Sequence, residues 1–449
     1  MSQYKPYPAY KDSGVEWLGR VPAHWVSSRV KSSVTSSRNG DWGSEPTENP
    51  KVCVRVADFD RQSFRVRLGD PPTLRDYDSS KIAGRTLETG DLLIEKSGGG
   101  EKQPVGAVVY TDYTAAGSMY SNFTARMTIG ADYFPRFVAY VHAALYAAGV
   151  NTRSIKQSTG IQNLDSDQYF SESWYWPALS EQQLIAAFLD RETARIDALI
   201  EKKQRLIELL KEKRQAVITQ AVTKGLDPNV PMKDSGVEWL GEVPEHWTIR
   251  RLKHSIRPGT SVSYGIVQPG DHVETGVSFI QTSNISGDVI DTSNLQKTDS
   301  SIEAAYPRSR LTGGEVILGI RATVGAAHMV PASLRGANLS RGIARIEPAS
   351  YIHPQFLVFF LRGAAKGFWN VRSQGSTFTE VSIESVKELA IPLPSLREQR
   401  FVCDCLEKSV ERLARLIAQT KRSIDLLQER RSALITAAVT GQIDVRDAA

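Results

Sequence analysis

The feature that most constrains the fold is a long internal duplication. The segment Lys11–Gly19 recurs without change as Lys233–Gly241, and the match extends over the 21 positions that start at Lys11, of which 15 are identical in the second copy. Chance does not produce such a match, and repeats of this kind report the architecture of a chain. We therefore expect one structural plan to be built twice.

A second repeated block follows the first in each copy. It spans Pro177–Thr223 and, without gaps, Pro394–Thr440. The segments that separate the two kinds of block align poorly. Variable segment 1 covers about Val26–Trp176, and variable segment 2 covers about Thr248–Ile391. The chain thus alternates repeated scaffold with divergent sequence.

Each second block is typical of one long helix. Residues 181–223 contain neither Gly nor Pro, and an unbroken helix of this length would measure about 64 Å. Apolar residues recur in a heptad-like stripe, which favours packing along a narrow seam. Because the two rods are equally long, we expect them to pair as an antiparallel coiled coil. The stripe comprises Leu189, Ile196, Leu199, Ile200, Leu206, Ile207, Leu210, Val217 and Ala221 in the first copy and Leu406, Leu413, Leu416, Ile417, Ile424, Leu427, Leu434 and Ala438 in the second.

Charged residues of the rods are expected to form mainly a solvated face, with contact to nucleic acid or to a partner as the alternative. They are Lys202, Arg205, Lys211, Lys213, Arg214, Arg430 and Arg431.

Both variable segments predict a mixed sheet with helices, which makes the chain an α+β protein. One helix in each segment is expected to open with a proline, over Pro135–Ala148 and Pro354–Lys366. Predicted strands cover residues 52–57, 91–94, 107–110 and 122–129 in segment 1 and residues 277–281, 315–320 and 342–346 in segment 2.

A strand followed by a small-residue loop recurs in both variable segments. The loop contains Lys96 and Ser97 in segment 1 and Arg321 and Thr323 in segment 2. Small residues let a backbone approach closely and a cation adds charge, so the loops are candidate contacts to a phosphate or a base. A plain turn is the alternative reading.

A second polar loop recurs near the end of each variable segment. Its side chains are able to read base edges or to hold phosphates, and ordinary turn formation is the alternative. The residues are Gln157, Ser158 and Thr159 in segment 1 and Gln374, Ser376 and Thr377 in segment 2.

Five further residues are candidates for nucleic-acid contact. Tyr264 either stacks on a base or packs in the protein, and packing is the favoured interpretation. Arg29 and Lys31 recur as Arg251 and Lys253, and these four cations are candidates for contact with backbone phosphate.

Composition excludes several classes of protein without identifying a ligand. The 55 basic and 50 acidic residues leave a net charge of +5, which permits nucleic-acid binding but does not require it. Three scattered cysteines predict neither a disulfide framework nor a zinc site. The start has no signal-peptide core and no apolar stretch is long enough to span a bilayer, so a cytoplasmic location is expected.

Motifs for catalysis are not found in the sequence. Asp70-Pro71-Pro72 has the core of an amino-methyltransferase motif, but Thr73 stands where an aromatic residue is needed, and a turn is the better interpretation. A phosphate-binding G-x-x-x-x-G-K-[ST] loop is missing. Catalysis, a cofactor and a metal are therefore not expected in this chain.

The duplicated plan and its motifs resemble the specificity subunit of type I restriction-modification systems. The blocks Lys-Asp-Ser-Gly-x-Glu-Trp-Leu-Gly-x-Val-Pro-x-His-Trp carry this resemblance, together with the Pro-x-Leu-x-Glu-Gln entry to each rod. The entry is close to the family pattern over Pro392–Gln399 and looser over Pro177–Gln182. The resemblance extends over nearly the whole chain.

The resemblance implies a DNA-recognition subunit with a pseudo-two-fold repeat. Residues 1–176 and 227–392 would be two target-recognition domains that each read half of a split double-stranded DNA site. Residues 177–226 and 393–449 would be spacer helices that dock two methyltransferase subunits, with restriction subunits joining that core. S-adenosylmethionine, ATP and Mg would belong to those partners. The helix positions expected to serve spacing and docking are Glu181, Gln182, Leu189, Ile196, Leu210, Glu398, Gln399, Leu406, Leu413 and Leu427.

Divergence between the variable segments supports this interpretation, because two readers of different half-sites share a scaffold and differ in their contact surface. It predicts an asymmetric target. The alternatives are a specificity subunit of a methylation-only complex, a coiled-coil scaffold without a DNA role, and a self-contained modification enzyme, against which the missing motifs argue.

Overall fold

The computed structural model describes residues 4–47, 49–158, 160–372 and 380–447. The chain forms two compact units: unit 1 comprises Met1–Gln204 with Arg422–Ala449, and unit 2 comprises Arg205–Lys421. Each unit therefore holds one variable segment and a part of each long helix. The division into two target-recognition domains and two spacer helices, which the resemblance implies, stays a prediction.

Unit 1 is built from short strands and three short helices. Its strands are Tyr10–Asp12 (β1), Arg20–Pro22 (β2), Val26–Arg29 (β3), Val34–Asn39 (β4), Lys51–Val54 (β5), Phe59–Asp60 (β6), Arg65–Val66 (β7), Leu74–Arg75 (β8), Leu92–Glu95 (β9), Ser97–Gly98 (β10), Val108–Tyr110 (β11), Met119–Tyr120 (β12), Thr124–Ile129 (β13), Ile155–Ser158 (β14), Ile161–Leu164 (β15) and Ser173–Trp176 (β16). Its short helices are Ser79–Ile82 (α1), Pro135–Ala147 (α2) and Ser166–Phe170 (α3). The long helix Leu179–Lys224 (α4) begins here.

Unit 2 repeats this composition. Its strands are Met232–Asp234 (β17), Glu242–Pro244 (β18), Thr248–Arg251 (β19), Ser263–Tyr264 (β20), Val277–Ile280 (β21), Gln296–Thr298 (β22), Val316–Gly319 (β23), Ala327–Met329 (β24), Asn338–Leu339 (β25), Ile343–Ile346 (β26) and Ala390–Leu393 (β27). Its helices are Ser300–Ala304 (α5), Pro354–Arg362 (α6), Lys366–Arg372 (α7) and Ile383–Lys387 (α8), and the long helix Leu396–Val439 (α9) begins here. The α+β class predicted from the sequence is confirmed.

The two variable segments share one sheet plan. In segment 1 the strands β4-β13-β9-β11 lie side by side and antiparallel, and in segment 2 the strands β20-β26-β23-β24 do the same. A smaller sheet follows the same rule, since β12-β5-β8 in segment 1 corresponds to β25-β21-β22 in segment 2, each with one parallel and one antiparallel pairing. The segments therefore keep a common framework where their sequences do not align.

One glycine in each segment shows how closely this framework is kept. Gly40 follows β4, and a Cβ atom there would overlap the backbone of Ser121. Gly265 follows β20, and a Cβ atom there would overlap the backbone of Leu339. Only glycine, which has no side chain, allows the two backbones to approach this closely, so both segments have glycine at this position.

The predicted helices of the variable segments are found with one correction. Both α2 and α6 open with the expected proline at the first turn. The helix predicted over Pro354–Lys366 ends instead at Arg362, and α7 resumes at Lys366. Gly363 lies at the break, where a side chain would overlap Ile218 of α4. The prediction of one continuous helix is therefore wrong, because the chain bends at Gly363 and packs closely against α4.

Both long blocks form the continuous helices that were predicted, and their burial follows a seam with alternating spacings of three and four residues. In unit 1 the buried positions of α4 include Thr193, Ile196 and Ile200, and in unit 2 the same helix contributes Ile218 and Val222 to a core that also contains Leu406. Three residues assigned to the stripe, Leu199, Leu206 and Leu416, lie beside the seam and are 40–44% exposed, so their assignment is wrong.

Two cations expected on the solvated face have partners instead. Arg431 is buried and lies 2.9 Å from the carboxylate of Asp197 in unit 1. Arg214 lies 2.8 Å from the carboxylate of Asp288 in unit 2. These contacts tie each long helix to side chains that the helical pattern alone does not reveal.

The glutamine at the start of each long helix connects the helix to its variable segment. Gln182 accepts a hydrogen bond from the Phe134 amide, 2.8 Å away, at the start of α2, and donates one to the Pro177 carbonyl. Gln399 accepts from the His353 amide, 2.7 Å away, at the start of α6, and donates to the Pro394 carbonyl. The same three-way connection is therefore made in both units.

The preceding glutamate fixes the first repeated block. Glu181 accepts hydrogen bonds from the Trp25 indole and the Tyr7 hydroxyl. Glu398 accepts a hydrogen bond from the Trp247 indole, 3.0 Å away. β1 pairs with β2 and β17 pairs with β18, so the first repeated block of each unit is a hairpin that ends at Trp25 or Trp247. The repeated Glu-Gln pair thus joins the long helix, this hairpin and the variable segment within each unit.

We predict that Gln182→Ala lowers the free energy of unfolding by about 1–3 kcal/mol, because it leaves the half-buried Phe134 amide and the buried Pro177 carbonyl without this partner. Urea unfolding of the full chain measures the change. The matched control is Gln183→Ala, since Gln183 is the exposed neighbour and should change stability by less than about 0.5 kcal/mol. Equal effects of the two substitutions would contradict the assigned role of Gln182.

Candidate functional site

A buried acid that pairs with an arginine lies at the same place in both variable segments. In segment 1, Arg126 of β13 lies 2.7 Å from Asp91, which immediately precedes β9. In segment 2, Arg345 of β26 lies 2.8 Å from Glu315, which immediately precedes β23. Each pair locks the two central strands together, and these strands lead into the loops that carry the candidate side chains.

The pKa values of the two buried carboxylates are shifted in opposite directions. Burial raises the pKa of Asp91 above its ordinary value, although Arg126 acts against this. Burial also disfavours the charge of Glu315, but hydrogen bonds from Thr312 and Arg345 outweigh it and lower the pKa of that carboxyl. Glu315 therefore stabilises unit 2 in its charged form.

The strand register shows which residues at the strand ends of segment 1 correspond to which residues in segment 2. Asn39 pairs with Ala125, and Tyr264 pairs with Ala344, at the same step of the shared sheet. The loop after β9 donates two backbone hydrogen bonds to the Phe123 carbonyl, and the loop after β23 donates two to the Gly342 carbonyl. Strand pairing then continues from Ser97 to Asn163 and from Arg321 to Glu380.

These pairings define a strand-end cluster of five positions in each segment. In segment 1 its residues are Asn39, Lys96, Ser97, Asn122 and Asn163, and in segment 2 the corresponding residues are Tyr264, Ile320, Arg321, Arg341 and Glu380. Position for position, the framework is kept and the chemistry changes.

The cluster of segment 1 is dominated by amides. The Lys96 ammonium donates to the Asn39 side-chain oxygen at 2.7 Å, and the Ser97 hydroxyl donates to that of Asn163 at 2.7 Å. Asn122 is exposed on the turn before β13 and has no side-chain partner among the described residues. The predicted residues Lys96 and Ser97 are thus brought together with three asparagines.

The cluster of segment 2 is cationic and partly apolar. It lines an open cavity of about 360 Å³ that includes Tyr264, Ile320 and Arg341. Arg321 lies 2.5 Å from the carboxylate of Glu380, which holds its guanidinium in place. Tyr264 is 49% exposed, so packing does not explain its side chain. Arg341 is exposed and its side chain has no partner in the described part of the chain.

Thr323 lies in the same loop as Arg321. The residue between them, Ala322, has a positive φ of 57°, which is uncommon for a residue with a side chain. Gly98, at the corresponding place in segment 1, has a φ of 118°. Both loops therefore turn in the left-handed region directly after the cluster.

The four repeated cations near the start of the variable segments lie outside the strand-end cluster. Arg29 donates to the Ser171 carbonyl at 2.9 Å, and Lys31 is exposed. Arg251 and Lys253 both pair with the carboxylate of Glu388. Their role as phosphate contacts stays a prediction, and in unit 2 such contact has to compete with this acid.

The second polar loops are described in part. Gln157 is exposed on β14 of the hairpin β14-β15, and Ser158 ends that strand. Thr159, Gln374, Ser376 and Thr377 lie outside the described residues.

The helix residues assigned to spacing and docking divide into two groups. Leu189, Ile196, Leu406 and Leu413 are buried, whereas Leu210 and Leu427 are half-buried. The side chains of Glu181, Gln182, Glu398 and Gln399 are committed to the hydrogen bonds within each unit that are described above. Docking by any of these residues stays a prediction.

Sequence reasoning missed Asn39, Asn122, Asn163, Arg341 and Glu380. Each lies next to a recognised motif in space but not in the chain, and register alone shows which of them correspond. Groups of His, Cys, Asp and Glu able to hold a metal ion do not occur among the described residues. Helices of the described part are also not long and apolar enough to cross a membrane.

Comparison with known proteins identifies the relatives of the chain. Residues 274–426 match the family model of the type I restriction modification DNA specificity domain. The specificity subunit of the type I restriction enzyme EcoBI from Escherichia coli is 28% identical over 270 residues, which are 59% of this chain and 56% of that protein. The match thus spans just over half of that relative.

Solved structures show the same fold. A chain from a study of complex assembly and conformational transition of the type I R-M system aligns with a TM-score of 0.71 at 15% identity, over 93% of this chain and 98% of that one. The HsdS subunit from Thermoanaerobacter tengcongensis aligns with a TM-score of 0.56 at 15% identity, over 96% of this chain and all of that subunit. The resemblance to specificity subunits that the sequence indicated is confirmed.

We predict that Glu315→Gln lowers the free energy of unfolding at pH 7 by about 1.5–3 kcal/mol, because the charged carboxylate is lost from its buried contacts. The folded-state pKa of Glu315 is lowered, so its contribution is present above the ordinary value of 4.5 and is lost as the pH falls below it. The difference between variant and wild type should shrink in urea titrations repeated at pH 4 and below.

The control for this prediction is Glu384→Gln, since Glu384 is largely exposed and pairs with Lys387 on the same helix. It should have little effect at either pH. A cost for Glu315→Gln that does not change with pH would show that the charge of the carboxylate is not what stabilises the strands.

Proposed function

We propose that this chain, which carries a type I restriction-modification DNA specificity domain, is the sequence-specific DNA-recognition subunit of a type I restriction-modification complex. The observation that carries the proposal is the strand-end cluster, where one framework presents different side chains in the two variable segments. A protein that reads two different half-sites requires this combination of constancy and divergence. The target is then a two-part, asymmetric double-stranded DNA site.

The long helices serve as the spacer in this proposal. We infer that α4 and α9 pair antiparallel as a coiled coil, with a pseudo-two-fold relation between the repeats. Contacts within each unit support this: Asp197 in the first half of α4 meets Arg431 in the second half of α9, and Val222 near the end of α4 shares a core with Leu406 in the first half of α9. Residues 1–176 and 227–392 are then the two target-recognition domains.

Partners supply the chemistry in the proposed complex. The chain is non-catalytic and positions two methyltransferase subunits, with restriction subunits joining that core in the cytoplasm. S-adenosylmethionine, ATP and Mg belong to those subunits. The exposed leucines of α4, such as Leu199 and Leu206, give the helices an outer apolar surface available for docking.

We predict that co-expression with the methyltransferase subunit encoded next to this chain methylates a single two-part asymmetric DNA motif with a fixed gap. Sequencing that detects methylated bases across the host genome measures the motif. A soluble complex that leaves no methylation would contradict the proposal and favour the scaffold interpretation. Cleavage tests with a restriction subunit separate a restricting system from a methylation-only one.

We predict that deleting one heptad from each long helix shortens the gap between the half-sites or abolishes methylation. Removing residues 204–210 and 418–424 shortens each helix by about 10.5 Å, the length of about three base pairs. The same methylation map measures the new gap. As a control, Ala substitution of the exposed pair Glu208 and Lys211 should leave the gap as it is. A shortened protein that methylates with the original gap would refute the spacer role.

A further inference from the structure

We propose that position four of the strand-end cluster reads a base in each half-site, adenine through Asn122 in segment 1 and guanine through Arg341 in segment 2. The inference rests on the proposed function and goes beyond it, because it assigns a base to each half of the target. Two observations carry it: the two residues occupy equivalent backbone positions, and both side chains are exposed without a side-chain partner among the described residues.

The equivalence follows from the backbone. Asn122 precedes Phe123, whose carbonyl accepts the two hydrogen bonds from the loop after β9. Arg341 precedes Gly342, whose carbonyl accepts the two from the loop after β23. Both residues lie on the turn that leads into the strand of the buried arginine, so the locked strand pair holds each side chain at the same place on the shared sheet.

Position four is the one whose polar side chain is exposed and without a side-chain partner in both segments, among the described residues. In segment 1, Asn39 and Asn163 already accept hydrogen bonds from Lys96 and Ser97, whereas Asn122 is exposed and without a side-chain partner among the described residues.

In segment 2 the same contrast holds. Arg321 is held by Glu380, whereas Arg341 has no side-chain partner in the described part of the chain. Position four thus lacks a side-chain partner in both segments.

The chemistry of the free groups selects the base. An asparagine amide donates to N7 and accepts from N6 of adenine in the major groove, whereas an arginine donates two hydrogen bonds to O6 and N7 of guanine. Arg341 shares its cavity with the exposed ring of Tyr264 and with Ile320. These apolar walls suit a base edge better than a phosphate, which binds where several donors converge.

The charged residues next to position four support the same assignment. Lys96 lies beside the amides of segment 1, and the Arg321–Glu380 pair lies beside Arg341. These groups are placed to hold the DNA backbone or the neighbouring side chain, which leaves the fourth position to discriminate. The inference therefore separates residues that position the DNA from one residue in each segment that selects a base.

The test compares methylation motifs of the complex that contains wild-type chain, Arg341→Ala or Asn122→Ala. Arg341→Ala should relax one guanine in one half-site, with discrimination at that position falling roughly 5- to 150-fold, and leave the other half-site unchanged. Asn122→Ala should relax one adenine in the opposite half-site. Each variant is a control for the other, because the unaffected half-site shows that the protein is folded and bound.

A charge-matched control is Arg335→Ala. Arg335 is also exposed in segment 2, but it lies near Thr312 before β23, at the other end of that strand from Arg341. It should leave the motif unchanged. If Arg341→Ala instead weakens methylation equally at all sites without changing the motif, Arg341 contacts phosphate and the inference is overturned.

A second measurement covers the case in which a variant methylates too weakly to yield a motif. Binding of the wild-type complex is measured to duplexes in which single purines of each half-site are replaced by their 7-deaza analogues, which lack the N7 acceptor. One guanine in the half read by segment 2 and one adenine in the other should lose affinity, and Arg341→Ala should lose sensitivity at that guanine alone. Equal sensitivity of variant and wild type overturns the inference.

The outcomes distinguish the two levels of the argument. If the wild-type complex marks no two-part motif, the proposed function fails and this inference fails with it. If a two-part motif is found but both substitutions leave it unchanged, the proposed function stands and the assignment of Asn122 and Arg341 is wrong.

Discussion

In each unit, the hydrogen bonds of one buried glutamine connect the long helix to the variable segment, and the rest of the structure depends on this connection. Gln182 and Gln399 each accept from the amide of the residue just before a variable-segment helix and donate to the carbonyl of the proline that precedes their own long helix. A buried amide that lost these bonds would leave several polar groups unpaired, which is costly. The orientation of each variable segment on its helix is therefore set by a residue that belongs to the repeated scaffold.

Because of this connection, the sequences of the two variable segments can diverge while each segment keeps its position on its long helix. The scaffold fixes where α2 and α6 begin, and the buried pairs of Arg126 and Arg345 fix the central strands. Beyond those strands the loops carry little of the core, so their residues are free to change. The divergence therefore includes the strand ends, where the framework delivers side chains to solvent at defined positions.

The sequence was sufficient to predict the scaffold but not the composition of the site. Identical blocks and a helix pattern without Gly or Pro predicted both long helices, because these signals are local. The correspondence of Asn122 with Arg341 depends on strand register, which poorly aligned segments conceal. Likewise the acid that pairs with Lys253 is Glu388, far along the chain, and a charge pattern read along the sequence does not reveal such partners.

The end of the chain completes the unit in which the chain begins. Gly225, after α4, lies against Trp247 of the second hairpin, and Gly441, after α9, lies against Trp25 of the first, both with left-handed backbone. The pairing of Lys5 with Asp444 extends this contact. Each long helix therefore covers the hairpin of the following repeat, and the last helix covers the first hairpin. Unit 1 is consequently assembled from two stretches that are far apart in the sequence, Met1–Gln204 and Arg422–Ala449.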